Sequence, residues 1–411
     1  MTIPQNVREE ILTKVDRLVQ RKHFNPALNG ANWSELVQER RPRILAAETI
    51  EALENEMSSL LSRLKTSHTG FFHRSLRTIP ARHAINATCR PYSLNGSGAK
   101  WMFQDVHVGG AAQKAGIRAG DLLVELDGKE ISPPSQPVFR MGVPARLTIE
   151  KLSGDRAEIE IGVPAPKSKK HPVNQPLAIV CSTLEPGLGL LKVTMFPGAV
   201  GIDLAHGFDR AIASFKECDR LIVDLRGNTG GGIGVLRLMS YLTPDKRPVG
   251  YSLTKKRAAG GYRREELAQF RRIPSHKAAL IWLLLRYAFV DKSIAVVTEG
   301  LGQQRFHGRV VILVNEHSAS AAEMVAGFAR ENSLATIVGT KTPGRLLSGT
   351  GFKVGHGFML GLPVGAYLTW AGTLLEGKGI EPDVSVDLSR DALRQDRDTQ
   401  LERAIEVVLK L

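Results

Sequence analysis

VVILVNEHSASAAEMVAGFARE, residues 310–331, is the stretch that decides the fold of this chain. An apolar, strand-like run ends at Asn315 in a turn of small residues, and an amphipathic helix follows. Ser320 stands where that helix begins, so its hydroxyl lies at the positive end of the helix dipole, beside backbone N–H groups without partners inside the helix. Such N–H groups can stabilise the oxyanion of an acyl-transfer transition state, so this context indicates a nucleophilic serine. The alternative is structural: Ser320 caps the helix, and Glu323 completes a capping box.

The composition is that of an ordinary globular chain. With 411 residues, 43% hydrophobic and 23% charged, the sequence predicts two or three domains with well-formed cores. Its three cysteines are too few for a disulfide framework or a metal cluster. Residues 1–20 lack the apolar core of a signal peptide, and the longest apolar run, residues 278–290, is too short to span a bilayer. We therefore expect a cytoplasmic protein without a membrane span.

The net charge of +14 raises the question of nucleic acid. The basic residues fall into separate clusters at 40–43, 167–170 and 255–272 rather than one stripe. No zinc finger, aromatic-rich signature or recognition-helix pattern accompanies them. The clusters are interpreted as solvated faces, with no specific nucleic acid as partner, and a nucleic-acid-associated factor is kept as an alternative that rests on charge alone.

The pattern of apolar and turn-forming residues changes along the chain. Helical spacing of apolar residues predicts a helical N-terminal region over residues 1–75, and residues 95–163 read as short strands and glycine turns. A Pro/Lys-rich linker then precedes alternating strands and helices over residues 177–395, within which residues 255–300 are interpreted as an insertion able to form a helical cap. Residues 396–411 predict an amphipathic C-terminal helix. The fold class is therefore multidomain and mixed α/β (α+β).

DVHVGGAAQKAGIRAGDLLVELDGKEI, residues 105–131, resembles a PDZ domain. It has a strand, a short helix, the AGIRAGD turn, a second strand and an Asp-Gly hairpin. PDZ domains take up extended peptides by β-augmentation and hold the terminal carboxylate in a backbone nest. The corresponding loop, GSGAKWMF at residues 96–103, departs from the usual Gly-Leu-Gly-Phe type. Peptide binding and a purely structural role for this domain both stay open.

Three further motifs accompany the serine turn: LIVDLRGNTGGG (221–232), KTPGRLLSG (341–349) and EGKGIEPD (376–383). The first is a buried strand that opens into a glycine-rich turn, where backbone N–H groups can converge on a ligand oxygen. A phosphate-binding loop would need a Gly-Lys-Ser/Thr ending that is missing. In this order, with SASAAE, the motifs resemble the carboxyl-terminal processing protease and tricorn-core family of serine peptidases. The resemblance covers nearly the whole chain and implies a ClpP/crotonase-like α/β peptidase core.

This family has two catalytic designs, and the sequence discriminates between them. In the processing-protease branch, the general base is a lysine in the turn after the nucleophile, and that position is Arg345 here. A guanidinium stays protonated at any working pH, so Arg345 cannot accept the serine proton. Lys341, four residues earlier, and His317, three residues before Ser320, are weaker alternatives for the base.

The tricorn-like branch instead takes a Ser-His pair from an early part of the chain and a glutamate near its end. Ser67-His68 in LKTSHTG resembles that pair, and Glu376 matches the glutamate. The resemblance implies that His68 takes the proton of Ser320 while Ser67 links His68 to Glu376. The N–H groups of Ala321 and of Gly230 or Gly231 would form the oxyanion hole. No metal or other cofactor is needed.

The sequence therefore predicts a serine endopeptidase that cleaves extended polypeptides, entered from their carboxyl terminus, with a homo-oligomer left open. A rival from another class is a catalytically inactive homologue that keeps the fold and acts as a peptide-binding or scaffold protein. Arg345 motivates this rival, because it closes one catalytic route.

Overall fold

The computed structural model describes residues 2–75, 78–94, 98–165, 175–276, 278–279, 281, 293–302, 306 and 308–411. The chain folds into two compact units. The first comprises Met1–Leu76, Lys246–Glu299 and Gly344–Gly379, and the second comprises Arg77–Asp245, Gly300–Pro343 and Ile380–Leu411. No helix among these described residues is long and apolar enough to cross a membrane.

The helices, in chain order, are α1 (Gln5–Lys22), α2 (Trp33–Ala46), α3 (Ile50–Ser62), α4 (Ala81–Ala84), α5 (Ala111–Lys114), α6 (Ile202–Ser214), α7 (Val235–Tyr241), α8 (Lys255–Ala259), α9 (Ala321–Glu331), α10 (Arg390–Leu393) and α11 (Thr399–Lys410). Within the described residues, 3₁₀ turns lie at Leu28–Gly30 and Arg264–Glu266.

The strands are β1 (Gly70–His73), β2 (Thr78–Pro80), β3 (Ala87–Leu94), β4 (Gly98–Val106), β5 (Leu122–Leu126), β6 (Lys129–Glu130), β7 (Val138–Arg140), β8 (Ala145–Glu150), β9 (Arg156–Ile161), β10 (Ile179–Glu185), β11 (Leu188–Val193), β12 (Arg220–Asp224), β13 (Pro248–Thr254), β14 (Ala268–Phe270), β15 (Ile294–Val297), β16 (Arg309–Val314), β17 (Thr336–Gly339), β18 (Leu347–Gly355), β19 (Phe358–Thr369) and β20 (Val384–Ser385).

The first unit packs α1, α2 and α3 on a six-stranded sheet of order β1-β19-β13-β15-β14, with β18 paired to β19. Apolar residues at helical spacing form the contact, as the sequence predicts, because they line one face of each helix. The chain leaves α3 through a turn at residues 65–69 and enters β1, so the N-terminal region is not helical to its end. Fully buried side chains from helices and sheet form the shared core, among them Ile11, Val15, Leu53, Met57, Leu360 and Leu362.

The second unit contains an antiparallel sheet of order β3-β4-β5-β8-β9, with β6 paired to β5. Its Asp127-Gly128 turn has positive φ at both residues, as a tight hairpin between β5 and β6 requires. The sheet starts at Ala87, earlier than the predicted boundary at residue 95. The PDZ-like assignment stays a prediction, and residues 96–97 of its loop lie outside the described residues, as do residues 166–174 of the linker.

The second sheet of this unit has the order β10-β11-β12-β16-β17-β20 and is parallel from β11 onward. Its central strands β12 and β16 are nearly continuous apolar runs because parallel strands are buried on both faces. One face packs on α11, the predicted C-terminal helix, through Ile222, Val311, Ala404 and Val408. The alternating strands and helices confirm the mixed α/β fold class.

Residues 255–300, interpreted from the sequence as a helical cap, contain the short helix α8 and strands β14 and β15. Both strands belong to the sheet of the first unit, where β15 pairs with β13 and β14 pairs with β15. The apolar run at residues 278–290 lies almost wholly outside the described residues.

Candidate active site

Two loops of the second unit leave neighbouring parallel strands at the same sheet edge. The glycine loop, residues 225–232, follows β12, and the nucleophile turn, residues 315–320, follows β16. The carboxyl ends of parallel strands are where ligands usually bind in α/β sheets. The topology therefore brings two of the sequence motifs together.

Ser320 ends the nucleophile turn and begins α9. Its backbone has φ 57° and ψ −115°, a conformation that costs a residue with a Cβ on the order of 1–3 kcal/mol. The Ser320 N–H donates to Glu323 Oε2 at 3.0 Å, and the two residues form the capping box expected on the structural alternative. An ordinary N-cap has an extended backbone and needs no positive φ. Capping therefore accounts for the hydrogen bond but not for the strain, which is typical of functional sites.

Glu323 is fully buried, and it is held from the TPG motif. Thr342 Oγ1 donates to Glu323 Oε1 at 2.7 Å and accepts the N–H of Ile380 at 2.8 Å. The Glu323 carboxylate, which accepts the Ser320 N–H, is thus fixed by Thr342. Thr342 is in turn fixed by the backbone of Ile380. Sequence reasoning gave Thr342 no role of its own.

The glycine loop lies directly against the nucleophile turn. A Cβ added to Gly230 would stand 2.6 Å from Ser320 Cβ, and Gly230 also has φ +93°, so only glycine fits there. The Ala319 N–H donates to the Asn228 carbonyl at 2.8 Å, which ties the two loops together. These contacts place the backbone of the glycine loop beside the candidate nucleophile.

The predicted oxyanion donors differ in their hydrogen bonds. The Gly230 N–H donates to Asn228 Oδ1 at 2.8 Å. The N–H groups of Gly231 and Ala321 have no acceptor within the part of the chain that the structure describes. Gly231 is fixed by its neighbours, because the Phe196 N–H donates to the Gly230 carbonyl and the Gly232 N–H donates to the Phe196 carbonyl.

Ser67, His68 and Glu376 come together in the first unit. Ser67 Oγ donates to Glu376 Oε2 at 2.8 Å and lies 2.8 Å from His68 Nδ1. The Ser67 N–H also donates to Glu376 Oε1 at 2.7 Å, and the Leu346 N–H donates to Oε2 at 3.0 Å. The structure therefore joins all three residues that the family resemblance predicted, although Ser67 and Glu376 are 309 positions apart.

The hydrogen bonds of Ser67 fix the tautomer of His68. A hydroxyl carries one proton, and that of Ser67 is directed to Glu376, so its oxygen must accept the proton on His68 Nδ1. The other ring nitrogen, Nε2, then carries the lone pair. A neutral imidazole with a free Nε2 lone pair is the form that a general base requires.

The pKa of His68 lies below its ordinary value of 6.5. Removal of water by the surrounding protein lowers this pKa, Glu376 raises it, and the positive charge of Arg345 lowers it further. The net direction keeps the imidazole neutral near pH 7. Arg345, which cannot serve as a base, therefore favours the neutral form of His68 electrostatically.

The two rival bases have other surroundings. Lys341 is exposed and forms an ion pair with Glu381 Oε1 at 2.5 Å. His317 has a buried Nε2 without a hydrogen-bond partner among the described residues. Among the described residues, neither is joined to a carboxylate through a serine hydroxyl, as His68 is joined to Glu376 through Ser67.

Residues 187–386 match the model of peptidase family S41. The match includes the glycine loop, the nucleophile turn and Glu376. The chain carries a peptidase family S41 domain. A carboxy-terminal-processing protease of Bartonella bacilliformis is 27% identical in an alignment of 297 positions, which covers 67% of this chain and 56% of that protein. The carboxyl-terminal-processing protease of Synechocystis is 23% identical in an alignment of 426 positions, which covers 97% of this chain and 86% of that protein.

The chain spans little more than half the length of the Bartonella relative. Among solved structures, a photosystem II D1 C-terminal processing protease superposes with a TM-score of 0.58 at 19% identity, covering 99% of this chain and 98% of that chain. At this identity the similarity shows the fold alone. The comparisons confirm the predicted family resemblance, the fold class and the serine-peptidase class of the domain.

Proposed function

We propose that the chain is a serine peptidase in which Ser320 is the nucleophile and His68 is its general base. The observation that carries this proposal is the relay in the first unit, where Ser67 Oγ lies 2.8 Å from both His68 Nδ1 and Glu376 Oε2. A carboxylate that orients an imidazole through a fixed hydrogen bond is the design by which a serine is activated at neutral pH. The strained backbone of Ser320 supports its role as nucleophile.

In this mechanism, His68 Nε2 takes the Ser320 proton as Oγ bonds to the carbonyl carbon of the scissile peptide. The N–H groups of Ala321 and Gly231 bind the developing oxyanion, because the N–H of Gly230 already donates to Asn228. The imidazolium then protonates the leaving amine, and an acyl-enzyme forms. Water, deprotonated by the same imidazole, releases the acyl group and restores the Ser320 hydroxyl.

We propose an extended polypeptide as the substrate, entered from its carboxyl terminus, in keeping with the names of the carboxy-terminal-processing relatives. A cytoplasmic location and a homo-oligomer stay predictions. The scaffold alternative rested on Arg345, and the relay weakens it, because His68 supplies a base that does not depend on position 345.

Labelling with a fluorophosphonate tests the nucleophile. We expect the probe to modify Ser320 in the wild-type protein and not in Ser320→Ala, because attack on phosphorus needs the activated hydroxyl. A matched control is Ser318→Ala, since Ser318 is a buried serine of the same turn whose hydroxyl donates to the Leu225 carbonyl. Peptide mapping of the labelled residue is the measurement. Intact peptide binding with no labelling and no cleavage would favour the scaffold alternative.

The pH dependence of kcat/KM tests the base. His68 must be neutral to accept a proton, so activity falls as pH drops through its pKa, and we expect the midpoint of this acid limb below pH 6.5. Arg345→Gln removes a positive charge that lowers this pKa, so the midpoint should move to higher pH. Lys353→Gln, at an exposed position of the same unit, serves as the charge control. An acid limb unmoved by Arg345→Gln would contradict the assignment of His68.

A further inference from the structure

A buried carboxylate outside the predicted site reaches the nucleophile turn. Asp105, on β4, is 7% exposed, and Thr88 Oγ1 donates to it. Asn315 Nδ2 donates to both of its carboxylate oxygens, at 3.2 and 3.0 Å. Asp105 and Asn315 are 210 positions apart and lie in the same unit. Asn315 is the first residue after β16, where the nucleophile turn begins.

The amide oxygen of Asn315 holds both loops of the candidate site. Asn315 Oδ1 accepts the N–H of Gly227, in the glycine loop, at 3.1 Å and the N–H of His317, in the nucleophile turn, at 3.0 Å. The reverse amide orientation would turn the NH₂ group toward these two N–H donors and the oxygen toward a carboxylate. The hydrogen bonds to Asp105 therefore hold the amide in the one orientation that joins the loops.

Gly227 is fixed by the same group of residues. A Cβ at this position would stand 2.8 Å from Asp105 Cβ and Cγ, so the carboxylate side chain packs directly on the glycine backbone. Arg82, also buried, donates from Nε to the Gly227 carbonyl at 3.0 Å. The N–H, the carbonyl and the Cα of Gly227 are thus contacted by Asn315, Arg82 and Asp105, respectively.

We propose that Asp105 is a positioning residue for the peptidase site, which fixes the Asn315 amide and through it the spacing between the glycine loop and the nucleophile turn; this inference rests on the proposed function. Asp105 touches no reacting atom. Its effect is on where the Gly231 N–H and the Ser320 hydroxyl stand relative to each other, and small displacements of such groups have large effects on rate.

The charge of Asp105 is part of this arrangement. Burial alone would raise the pKa of Asp105, but the charges of Lys192, His317 and His107 and the hydrogen bond from Thr88 outweigh it, and the pKa lies below 3.8. An ionised carboxylate accepts from donors at both oxygens and donates nothing. Because the Asp105 carboxylate can only accept, the Asn315 amide must direct its NH₂ group toward it.

Two substitutions that move the carboxylate from position 105 to position 315 test the inference. Asn315→Asp keeps the acceptor for Gly227 and His317 but sets two carboxylates against each other, so we expect kcat to fall about 100-fold with KM within about threefold. Adding Asp105→Asn places an amide donor opposite the new carboxylate at position 315, so the hydrogen bond is restored with its direction reversed, and the double variant should recover at least about tenfold in kcat. Asp105→Ala should lose about as much as Asn315→Asp. Asp121→Ala is the control, because Asp121 is also buried but its side-chain bonds stay within residues 118–152.

A purely structural role for Asp105 predicts a different pattern. Asp105→Ala would then lower the melting temperature as Asp121→Ala does, leave kcat unchanged, and the double variant would do no better than Asn315→Asp alone. An unchanged kcat in Asp105→Ala would overturn the inference, and so would a double variant no more active than Asn315→Asp. If Asp105→Ala does not fold, the comparison of Asn315→Asp with the double variant decides.

Amide hydrogen exchange separates this inference from the proposed function. Exchange in residues 226–232 and 315–321 should be faster in Asn315→Asp than in the wild type and should slow again in the double variant. This readout needs no substrate. An inactive wild type would overturn the proposed function, whereas unchanged exchange in Asn315→Asp would overturn the positioning role of Asp105.

Discussion

Replacing His68 by alanine is expected to lower kcat/KM about 10⁴- to 10⁶-fold, because single losses from a serine–base unit have effects of this size. The variant removes the proton acceptor and leaves Ser320 as an ordinary hydroxyl. Fluorophosphonate labelling should slow in parallel, and KM should change little. His206→Ala, at an exposed position of α6, should retain wild-type turnover. A His68→Ala variant that cleaves peptides within about tenfold of the wild-type rate would exclude His68 as the base.

Glu376→Gln is expected to cost less, about 10²- to 10⁴-fold in kcat, because it misorients the base without removing it. The carboxylate accepts the Ser67 N–H at Oε1, and the Ser67 hydroxyl and the Leu346 N–H at Oε2. A glutamine amide must place its NH₂ group against one of these sets of donors. An amide oxygen at the Oε2 position keeps the Ser67 hydroxyl bond but sets the NH₂ group against the Ser67 N–H, which displaces Ser67. The reverse orientation removes the acceptor of the Ser67 hydroxyl, so either orientation disturbs the group that orients His68.

The second large effect is on stability. Arg226→Met is expected to lower the free energy of unfolding by about 3–5 kcal/mol, because it breaks a buried ion network from one side. Arg226 is 6% exposed and donates to both oxygens of Asp224 at 3.0 Å and to both oxygens of Asp398 at 3.0 and 2.8 Å. The substitution leaves the buried Asp224 carboxylate with Lys192 as its remaining ion-pair partner in the described chain. Chemical denaturation measures the loss.

Arg403→Met is the control for this measurement. Arg403 forms an exposed pair with Glu406 one helical turn away, and its loss should change stability by less than about 0.5 kcal/mol.

Burial alone would raise the pKa of Asp224, but Arg226 and Lys192 lower it below 3.8. A lowered carboxyl pKa gives stability that is present above the unfolded pKa and lost as pH falls. The difference in the free energy of unfolding between the wild type and Arg226→Met should therefore decrease below about pH 4.

Much of the fold follows from local patterns in the sequence. The apolar runs at 221–225, 310–314 and 335–339 predict strands within one residue of those observed, and the apolar spacing at residues 7–19 and 50–64 predicts α1 and α3. These elements are set by burial of one face or of both faces, which the residue order records directly. Strand β1 was not predicted, because its pairing partner, β19, lies far along the chain. The short strands β14 and β15 were not predicted either, because the sequence of residues 255–300 was interpreted as a helical cap.

The candidate site divides in the same way. Ser320 is readable from its strand–turn–helix context, whereas Ser67, His68 and Glu376 were predicted only through the family resemblance. Asp105, Asn315 and Thr342 were missed, since each acts through a partner that chain order does not reveal. The available signal for Asp105 was a single carboxylate in the strand WMFQDV, otherwise apolar except for Gln104. A buried charge of this kind needs a partner, although the sequence does not name it.

The long chain separation within the relay has a consequence for biosynthesis. A ribosome releases Ser67 and His68 well before it has made Glu376, and until then no carboxylate is present to align the imidazole. On the proposed mechanism, a growing polypeptide that ends before residue 376 lacks the carboxylate that orients the base, so its rate of peptide cleavage should be lower by about 10²- to 10⁴-fold, as for Glu376→Gln. The full rate is expected only after translation has passed residue 376.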